Sequence, residues 1–295
     1  MPLPHPIPYQ GSKRKLAPVI GRYLPRGIGT FYEPFCGSAA MTIHAAHHGL
    51  AERYVLGDSL APMICLLRAI VERPERTAAH YQAVWEGQRE GDPGYFNRVR
   101  DRFNSDGEPV DLLYLICRCV KNAVRFNGAG RFTQSADRRR LGMRPDRMRA
   151  AITGVSALLA GRTEFRTGDW LDTTADAGPS SLVYMDPPYL GTSVGRDKRY
   201  HQQLRQEALI AGLASLNARG IRFLLSYDGM TGDKEYGPPL PDHLGLARLL
   251  LKAGPSSQAT LSGRRAETVE SLYLSTGLID PVNDAGAARR VRARS

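Results

Sequence analysis

One short motif of the chain combines the residue types needed to hold an amine. A carboxylate, two prolines and an aromatic ring follow an apolar run, in the order Asp186-Pro187-Pro188-Tyr189. Consecutive prolines fix two φ angles and remove two N–H donors, so the turn is stiff. The Asp186 carboxylate and the Pro187 carbonyl can then accept both hydrogens of one exocyclic amine while a planar base stacks on Tyr189. The motif therefore predicts a site that presents an amine lone pair for reaction; a proline turn without function is the alternative.

A glycine turn between a predicted strand and a predicted helix forms a second candidate site, in the run Glu33-Pro34-Phe35-Cys36-Gly37-Ser38-Ala39. Such a turn places backbone N–H groups and a helix N-terminus at the carboxyl edge of a parallel sheet, where nucleotides and adenosine-containing cofactors bind. Dinucleotide-binding turns carry three glycines and this one carries only Gly37, which disfavours a nicotinamide or flavin cofactor. An ordinary strand-turn-helix connection is the alternative.

Acidic residues end the next two predicted strands. Asp58 follows about twenty residues after the glycine turn, at the position where a carboxylate can accept both hydroxyl hydrogens of a ribose. Asp58 can also cap the following helix, and the two roles do not exclude each other. Asp169, followed by Trp170, ends a later strand and could accept a hydrogen bond from an adenine amine.

These residues need a sheet whose strands end at one edge, and the apolar pattern predicts one. Five short apolar runs bounded by Gly, Asp or Pro predict strands at 30–35, 53–57, 163–167, 182–185 and 221–226. Apolar residues at three- and four-residue steps predict helices at 15–23, 39–48, 60–71, 75–86, 110–120, 147–159 and 203–216. This alternation favours an α/β fold with a mostly parallel sheet and helices on both faces. Two further strands within 258–274, around a turn at 262–265, predict an antiparallel edge hairpin.

The alternation is interrupted between the second and third strands, which predicts an inserted domain. We expect residues 1–62 and 150–281 to form the catalytic domain, residues 63–149 a small helical insertion, and residues 282–295 a disordered basic tail. The chain has 40 Lys and Arg against 29 Asp and Glu, and ten cations against two acids lie between Arg118 and Arg149. This charge favours a polyanionic partner, although a solvated basic face is the alternative.

Several classes of protein are excluded by composition. With 295 residues, 42% hydrophobic and 23% charged, the chain is typical of soluble globular proteins. No apolar run approaches ~18 residues, and the N-terminus lacks the apolar stretch of a secretory signal, so we expect a cytoplasmic protein without a membrane partner. The four cysteines form no CxxC pair, and no His or Cys constellation predicts a metal.

Together these motifs resemble the Dam-like adenine-specific DNA methyltransferases. The tetrapeptide at 186–189 matches the family's catalytic DPPY, and the glycine turn matches its EPFxGxG/A cofactor loop. The family's W/Y-x-G-G/S-K segment is similar to Tyr9-Gln10-Gly11-Ser12-Lys13. The order, with the cofactor loop first, the insertion next and DPPY last, also matches.

The resemblance implies a Rossmann-like enzyme that transfers a methyl group from S-adenosylmethionine to the exocyclic amine of adenine in double-stranded DNA, after flipping the base out of the duplex. It implies catalytic roles for Asp186, Pro187, Pro188 and Tyr189. The implied cofactor-binding residues are Tyr9, Gln10, Gly11, Lys13, Glu33, Pro34, Phe35, Gly37, Ser38, Asp58, Asp169, Trp170 and Asp186. The candidate DNA-binding residues are Lys121, Asn122, Arg125, Arg131, Arg138, Arg139, Arg140, Lys198 and Arg199. We expect a monomer, and a cognate restriction endonuclease is a further candidate partner.

Other functions stay open at this stage. Methylation of cytosine, RNA or protein glutamine could use a similar pocket, although relatives acting on cytosine or glutamine usually carry Ser or Asn in place of Asp186. A nucleic-acid-binding protein with an inactive cofactor fold and a nucleotide-dependent oxidoreductase are the alternatives from other classes. The glycine-rich, basic stretch 191–200, with Lys198 and Arg199, predicts a mobile lid that touches the DNA backbone, or a plain surface loop.

Overall fold

The computed structural model describes residues 3–88, 92–188, 205–231, 234–255 and 267–279. Its strands are β1 (Ile28–Glu33), β2 (Ala51–Asp58), β3 (Thr163–Thr167), β4 (Leu182–Met185), β5 (Arg222–Thr231), β6 (Lys234–Tyr236), β7 (Ala247–Pro255) and β8 (Glu267–Leu274). Its α-helices are α1 (Ala17–Ile20), α2 (Ala40–His47), α3 (Ala61–Glu72), α4 (Pro74–Glu86), α5 (Tyr95–Asp106), α6 (Pro109–Arg118), α7 (Pro145–Leu159), α8 (Trp170–Thr173) and α9 (Gln206–Ala218). None of the described helices is long and apolar enough to cross a membrane.

The strands form one sheet in the order β3-β2-β1-β4-β5-β8-β7. The first five run parallel, β8 is antiparallel to β5, and β7 is antiparallel to β8. The short strand β6 adds an antiparallel contact to β5. The α/β prediction with an antiparallel edge is confirmed. Because the chain order reverses between β1 and β4, a crevice opens beyond the carboxyl ends of these two neighbours, where α/β proteins bind ligands.

Alternate side chains of the central strands are buried on opposite faces of the sheet. In β1, Phe31 belongs to the core that includes α2, α3 and α7, whereas Tyr32 belongs to the core that includes α9. In β4, Leu182 and Val183 alternate in the same way. A strand covered on both faces needs an uninterrupted apolar run, which is the pattern that identified these strands.

Two predicted elements differ from the structure. The helix predicted over 15–23 is three short pieces, with 3-10 turns at Lys13–Lys15 and Gly21–Tyr23 on either side of α1. Pro18 has no N–H to donate to the carbonyl four residues earlier, so a continuous helix cannot form. At the sheet edge, β8 pairs with β7, which precedes the predicted 258–274 segment. The strand β7 was not predicted because it contains three consecutive leucines, so its sequence does not alternate between apolar and polar residues although Leu250 is exposed and Leu251 is buried. The predicted turn at 262–265 lies outside the described residues.

Between β2 and β3 the described residues form helices α3 to α7, and residues 123–144, before α7, contain no helix. Two isolated β-bridges lie in this region, Cys119 with Ala136 and Phe126 with Phe132. Helix α5 was not predicted, although its buried Phe96, Val99 and Phe103 recur at three- and four-residue steps. The division of the chain into a catalytic domain, an insertion at 63–149 and a tail stays a prediction.

Candidate active site

The glycine turn lies at the carboxyl end of β1 and is fixed to helix α2 by a buried carboxylate. Glu33 accepts hydrogen bonds from the backbone N–H groups of Met41, at 3.4 Å, and Thr42, at 2.8 Å. Burial raises the pKa of Glu33 to about 7, although the hydrogen bonds from Thr42 and Met41 act in the opposite direction. Glu33 therefore sets the direction in which the chain enters the turn.

The N-terminal motif, Tyr9-Gln10-Gly11-Ser12-Lys13, packs directly on this turn. Gly37 has a φ of +46°, and a Cβ atom there would lie 3.2 Å from Cε1 of Tyr9. The Ser12 hydroxyl lies 2.9 Å from the Ser38 hydroxyl. Glycine is therefore needed at this position for the approach of the Tyr9 ring, and the structure brings together two motifs that are separate in sequence.

Asp58, at the end of β2, joins the turn through its carboxylate. Its Oδ2 accepts from the Gly37 N–H at 3.0 Å, and its Oδ1 accepts from the Leu60 N–H at 2.9 Å. Burial raises its pKa, while the two backbone hydrogen bonds lower it. Each carboxylate oxygen has two lone pairs, so these contacts leave acceptor capacity for a ligand.

The acid after β3 has a different environment. Asp169 is exposed and caps α8 by accepting from the Leu171 N–H at 2.8 Å. Trp170 is buried, with its ring centroid 6.0 Å from that of Phe35. The Gly168 N–H donates to the Asp58 carbonyl, which ties the ends of β2 and β3 together. Trp170 thus packs against Phe35. The ligand-binding roles of Asp169 and Trp170 stay predictions.

Asp186 follows β4 and is paired with the lysine of the N-terminal motif. Lys13 Nζ lies 2.8 Å from Asp186 Oδ1 and 3.3 Å from Glu270 Oε2. Burial raises the pKa of Asp186 to about 6; the Lys13 ammonium lowers it and the Glu270 carboxylate raises it. In the described part of the chain, no group donates a hydrogen bond to Asp186 Oδ2. One oxygen is therefore occupied by the lysine, and the other has acceptor capacity for a ligand.

Glu270 was not among the predicted site residues. It lies on β8, opposite Gly229 of β5 and Leu251 of β7. An acid in a strand with neighbours on both sides is unusual, and this is the one sequence feature that could have drawn attention to it. Pro187 is buried and Pro188 partly buried directly after Asp186. Tyr189, Lys198, Arg199 and the predicted lid at 191–200 lie outside the described residues, as does the tail at 282–295.

The basic segment, which runs from Arg118 to Arg149, contacts the N-terminal motif through Asn122. The Gln10 N–H donates to the Asn122 carbonyl at 3.2 Å. The Asn122 side chain donates to the Ile116 carbonyl at 2.9 Å and accepts from Arg140 at 2.9 Å. Lys121 and Asn122 both have positive φ angles, 59° and 52°. The side chain of Asn122 is therefore engaged within the protein, while that of Lys121 is exposed.

The three consecutive arginines of this segment differ in their partners. Arg139 binds the buried Asp137 carboxylate through two nitrogens, at 3.0 and 3.2 Å, and Arg140 lies 3.4 Å from the same carboxylate. Arg138 is exposed and makes no ion pair within the described residues. Arg131 is also exposed, and Arg125 is partly buried with its carbonyl accepting from the Thr133 N–H.

Comparison with known proteins agrees with this geometry. The chain is 25% identical to the DNA N-6-adenine-methyltransferase of Escherichia phage P1, over 77% of this chain and 30% of that protein. It is 27% identical to the modification methylase LlaI of Lactococcus lactis subsp. lactis, over 75% and 36% of the two chains, and 27% identical to the DNA adenine methylase of Escherichia coli (strain K12), over 75% and 79%.

The chain spans about a third of the length of the first two of these relatives. The family model for the D12 class N6 adenine-specific DNA methyltransferases matches residues 9–280. That range includes the N-terminal motif, the glycine turn, the basic segment and the DPPY tetrapeptide. The chain therefore belongs to the D12 class of N6 adenine-specific DNA methyltransferases.

Proposed function

We propose that the protein transfers a methyl group from S-adenosylmethionine to the exocyclic amine of adenine in double-stranded DNA. The observation that carries this proposal is the arrangement of Asp186: Lys13 holds its Oδ1 at 2.8 Å, and its Oδ2 has acceptor capacity beside the stiff turn at Pro187. Membership of the D12 class supports adenine over the other amines.

The residues at the carboxyl ends of β1 and β2 fit S-adenosylmethionine as the cofactor. The Gly37 turn packs so closely under Tyr9 that a Cβ atom would need the ring to move, and Asp58 presents a partly buried carboxylate at the ribose position. Phe35, backed by Trp170, supplies an apolar surface beside this turn. These groups, with Glu33, Pro34, Ser38, Gln10 and Gly11, would hold the cofactor, which supplies an electrophilic methyl group when it is bound.

The chain's own contribution to the reaction is to hold the amine. Asp186 Oδ2 and the Pro187 carbonyl accept the two amine hydrogens and leave the nitrogen lone pair unshared. As the new N–C bond forms, positive charge develops on the nitrogen, and the adjacent carboxylate stabilises it. The nitrogen then loses a proton, for which Asp186 is the nearest acceptor. With a pKa of about 6, Asp186 is ionised at neutral pH and can perform both steps.

The basic segment would hold the DNA. The exposed Lys121, Arg131 and Arg138 present cations to a polyanion. Arg139 and Arg140, which pair with Asp137, fix the loop that carries Arg138. Flipping the adenine out of the duplex costs roughly a few kcal/mol, which stacking on Tyr189 would partly recover. Lys198 and Arg199 are proposed to contact the DNA backbone, and Arg125 and Asn122 to belong to the base-reading part.

The wider setting is proposed from the same family membership. Names such as modification methylase belong to the relatives and support a cognate restriction endonuclease as a partner here. We also propose a monomeric, cytoplasmic protein, in line with its composition.

Expression in a strain that lacks DNA methylation tests the proposed function. Sequencing of modified bases is expected to find N6-methyladenine at one recurrent short sequence, and Asp186→Ala is expected to abolish it. Modified cytosine in place of adenine, or no modification with the protein present and folded, would overturn the proposal.

A further inference from the structure

The ammonium of Lys13 lies between two carboxylates that come from different parts of the sheet. Asp186 directly follows β4, Glu270 lies within β8, and Lys13 belongs to the 3-10 turn near the N-terminus. The side chains are 9%, 20% and 18% exposed for Lys13, Asp186 and Glu270. Three charged side chains that are largely shielded from water interact more strongly than surface pairs.

Glu270 restricts where the ammonium can sit. A lysine carries three N–H donors on a flexible four-carbon chain, so an ammonium that faces one carboxylate can move between its two oxygens. The second carboxylate, 3.3 Å from Nζ, draws the ammonium to one side, and the structure has it on Asp186 Oδ1 at 2.8 Å. The contact with Glu270 therefore favours the position of the ammonium on Oδ1.

The charge balance of the cluster gives Glu270 a second effect. Lys13 alone would neutralise Asp186, whereas Lys13 with Asp186 and Glu270 carries a net charge of −1. Among the described residues, Glu33 at the end of β1 also interacts electrostatically with Asp186. A cluster that remains anionic is suited to a site in which positive charge develops on the reacting nitrogen.

We propose that Glu270 is a positioning residue for methyl transfer: it holds the Lys13 ammonium on one oxygen of Asp186, so that the other oxygen accepts the target amine. This inference rests on the proposed function. Glu270 acts through Lys13 and is not itself a group that contacts the substrate.

Glu270→Gln tests this role because it removes the charge and keeps the shape. We expect the midpoint of the Asp186 titration, followed by NMR of ¹³C-labelled aspartate carboxyls and assigned with Asp186→Asn, to fall by at least about half a pH unit. We also expect kcat to fall at least about fivefold, which corresponds to about 1 kcal/mol. Glu164→Gln, the same change at an exposed glutamate that pairs with Arg166, is the matched control and should leave both quantities unchanged.

The two measurements separate this inference from the proposed function. If the wild-type protein transfers methyl groups and Glu270→Gln leaves the Asp186 midpoint where it was, the positioning role is wrong, even if kcat falls. If the midpoint falls but kcat stays at the wild-type value, the role is also wrong. If the wild-type protein transfers no methyl group although the midpoint still falls, it is the proposed function that fails.

Discussion

Replacement of Asp58 by alanine should weaken cofactor binding and also lower the stability of the fold. The carboxylate accepts from two backbone N–H groups, those of Gly37 and Leu60, at 3.0 and 2.9 Å. A donor left without a partner costs about 1–3 kcal/mol when buried. Because Asp58 is only partly buried and water can reach the gap, we expect a loss of about 2–3 kcal/mol in the free energy of unfolding.

Cofactor binding is also weakened if Asp58 holds the ribose. A hydrogen bond to a charged group contributes about 1.5–3 kcal/mol, so losing one ribose contact weakens S-adenosylmethionine binding by about 10- to 150-fold. The same change also releases the Gly37 turn, which acts in the same direction. Calorimetric titration of the folded variant measures the affinity, and thermal unfolding measures the stability.

Asp92→Ala is the matched control for this variant. Asp92 is also partly buried and also accepts from the backbone N–H two residues later, that of Gly94, at 3.0 Å, but it lies before α5 and away from the glycine turn. It should lose stability without losing cofactor affinity. If Asp58→Ala stays folded and binds S-adenosylmethionine as tightly as the wild type, Asp58 only stabilises the loop before α3 and the ribose assignment is wrong.

Three further outcomes are expected. Methyl transfer should fall as the pH drops through about 6, because protonation of Asp186 removes its charge and an acceptor; an unchanged rate at pH 5 would refute this. Tyr189→Phe should keep most of the activity in a steady-state assay and Tyr189→Ala should lose it, because the aromatic face stacks on the base. An equal loss in both variants would mean that the hydroxyl is the functional group. Arg138→Ala should weaken binding to all duplexes alike and reduce the salt slope by about one unit, whereas Arg139→Ala should mainly lower the melting temperature; equal salt slopes for wild type and Arg138→Ala would contradict the phosphate contact.

The bounds of two strands were predicted from the sequence as the structure has them. The strand at Leu182–Met185 has the predicted bounds, because it is a buried apolar run that ends shortly before Pro187. The strand at Thr163–Thr167 also has the predicted bounds, although it is an edge strand in which Phe165 is the one buried residue. Helix α5 was missed although its buried residues have helical spacing, and β7 was missed because it is a run of leucines without alternating polar residues.

The candidate site was predicted where one short motif carries the chemistry, and missed where pairing brings distant residues together. The motifs around Lys13, Gly37 and Asp186 were identified from sequence, since each has its residue types in one run. Glu270 was not, because its place beside Lys13 depends on the antiparallel pairing of β8 with β5, which no local pattern reports. The pairing of Arg139 with Asp137 depends on the loop conformation and was missed for the same reason.

Transfer of labelled methyl groups to DNA tests the central claim most directly. Purified protein is incubated with unmethylated double-stranded DNA and S-adenosylmethionine that carries a labelled methyl group, and the DNA is digested to nucleosides and analysed by mass spectrometry. We predict that the label appears in N6-methyldeoxyadenosine with the wild-type protein and disappears with Asp186→Ala, at unchanged DNA affinity. Label in a cytosine nucleoside, or labelled adenine at more than about a tenth of the wild-type rate with Asp186→Ala, would contradict the account.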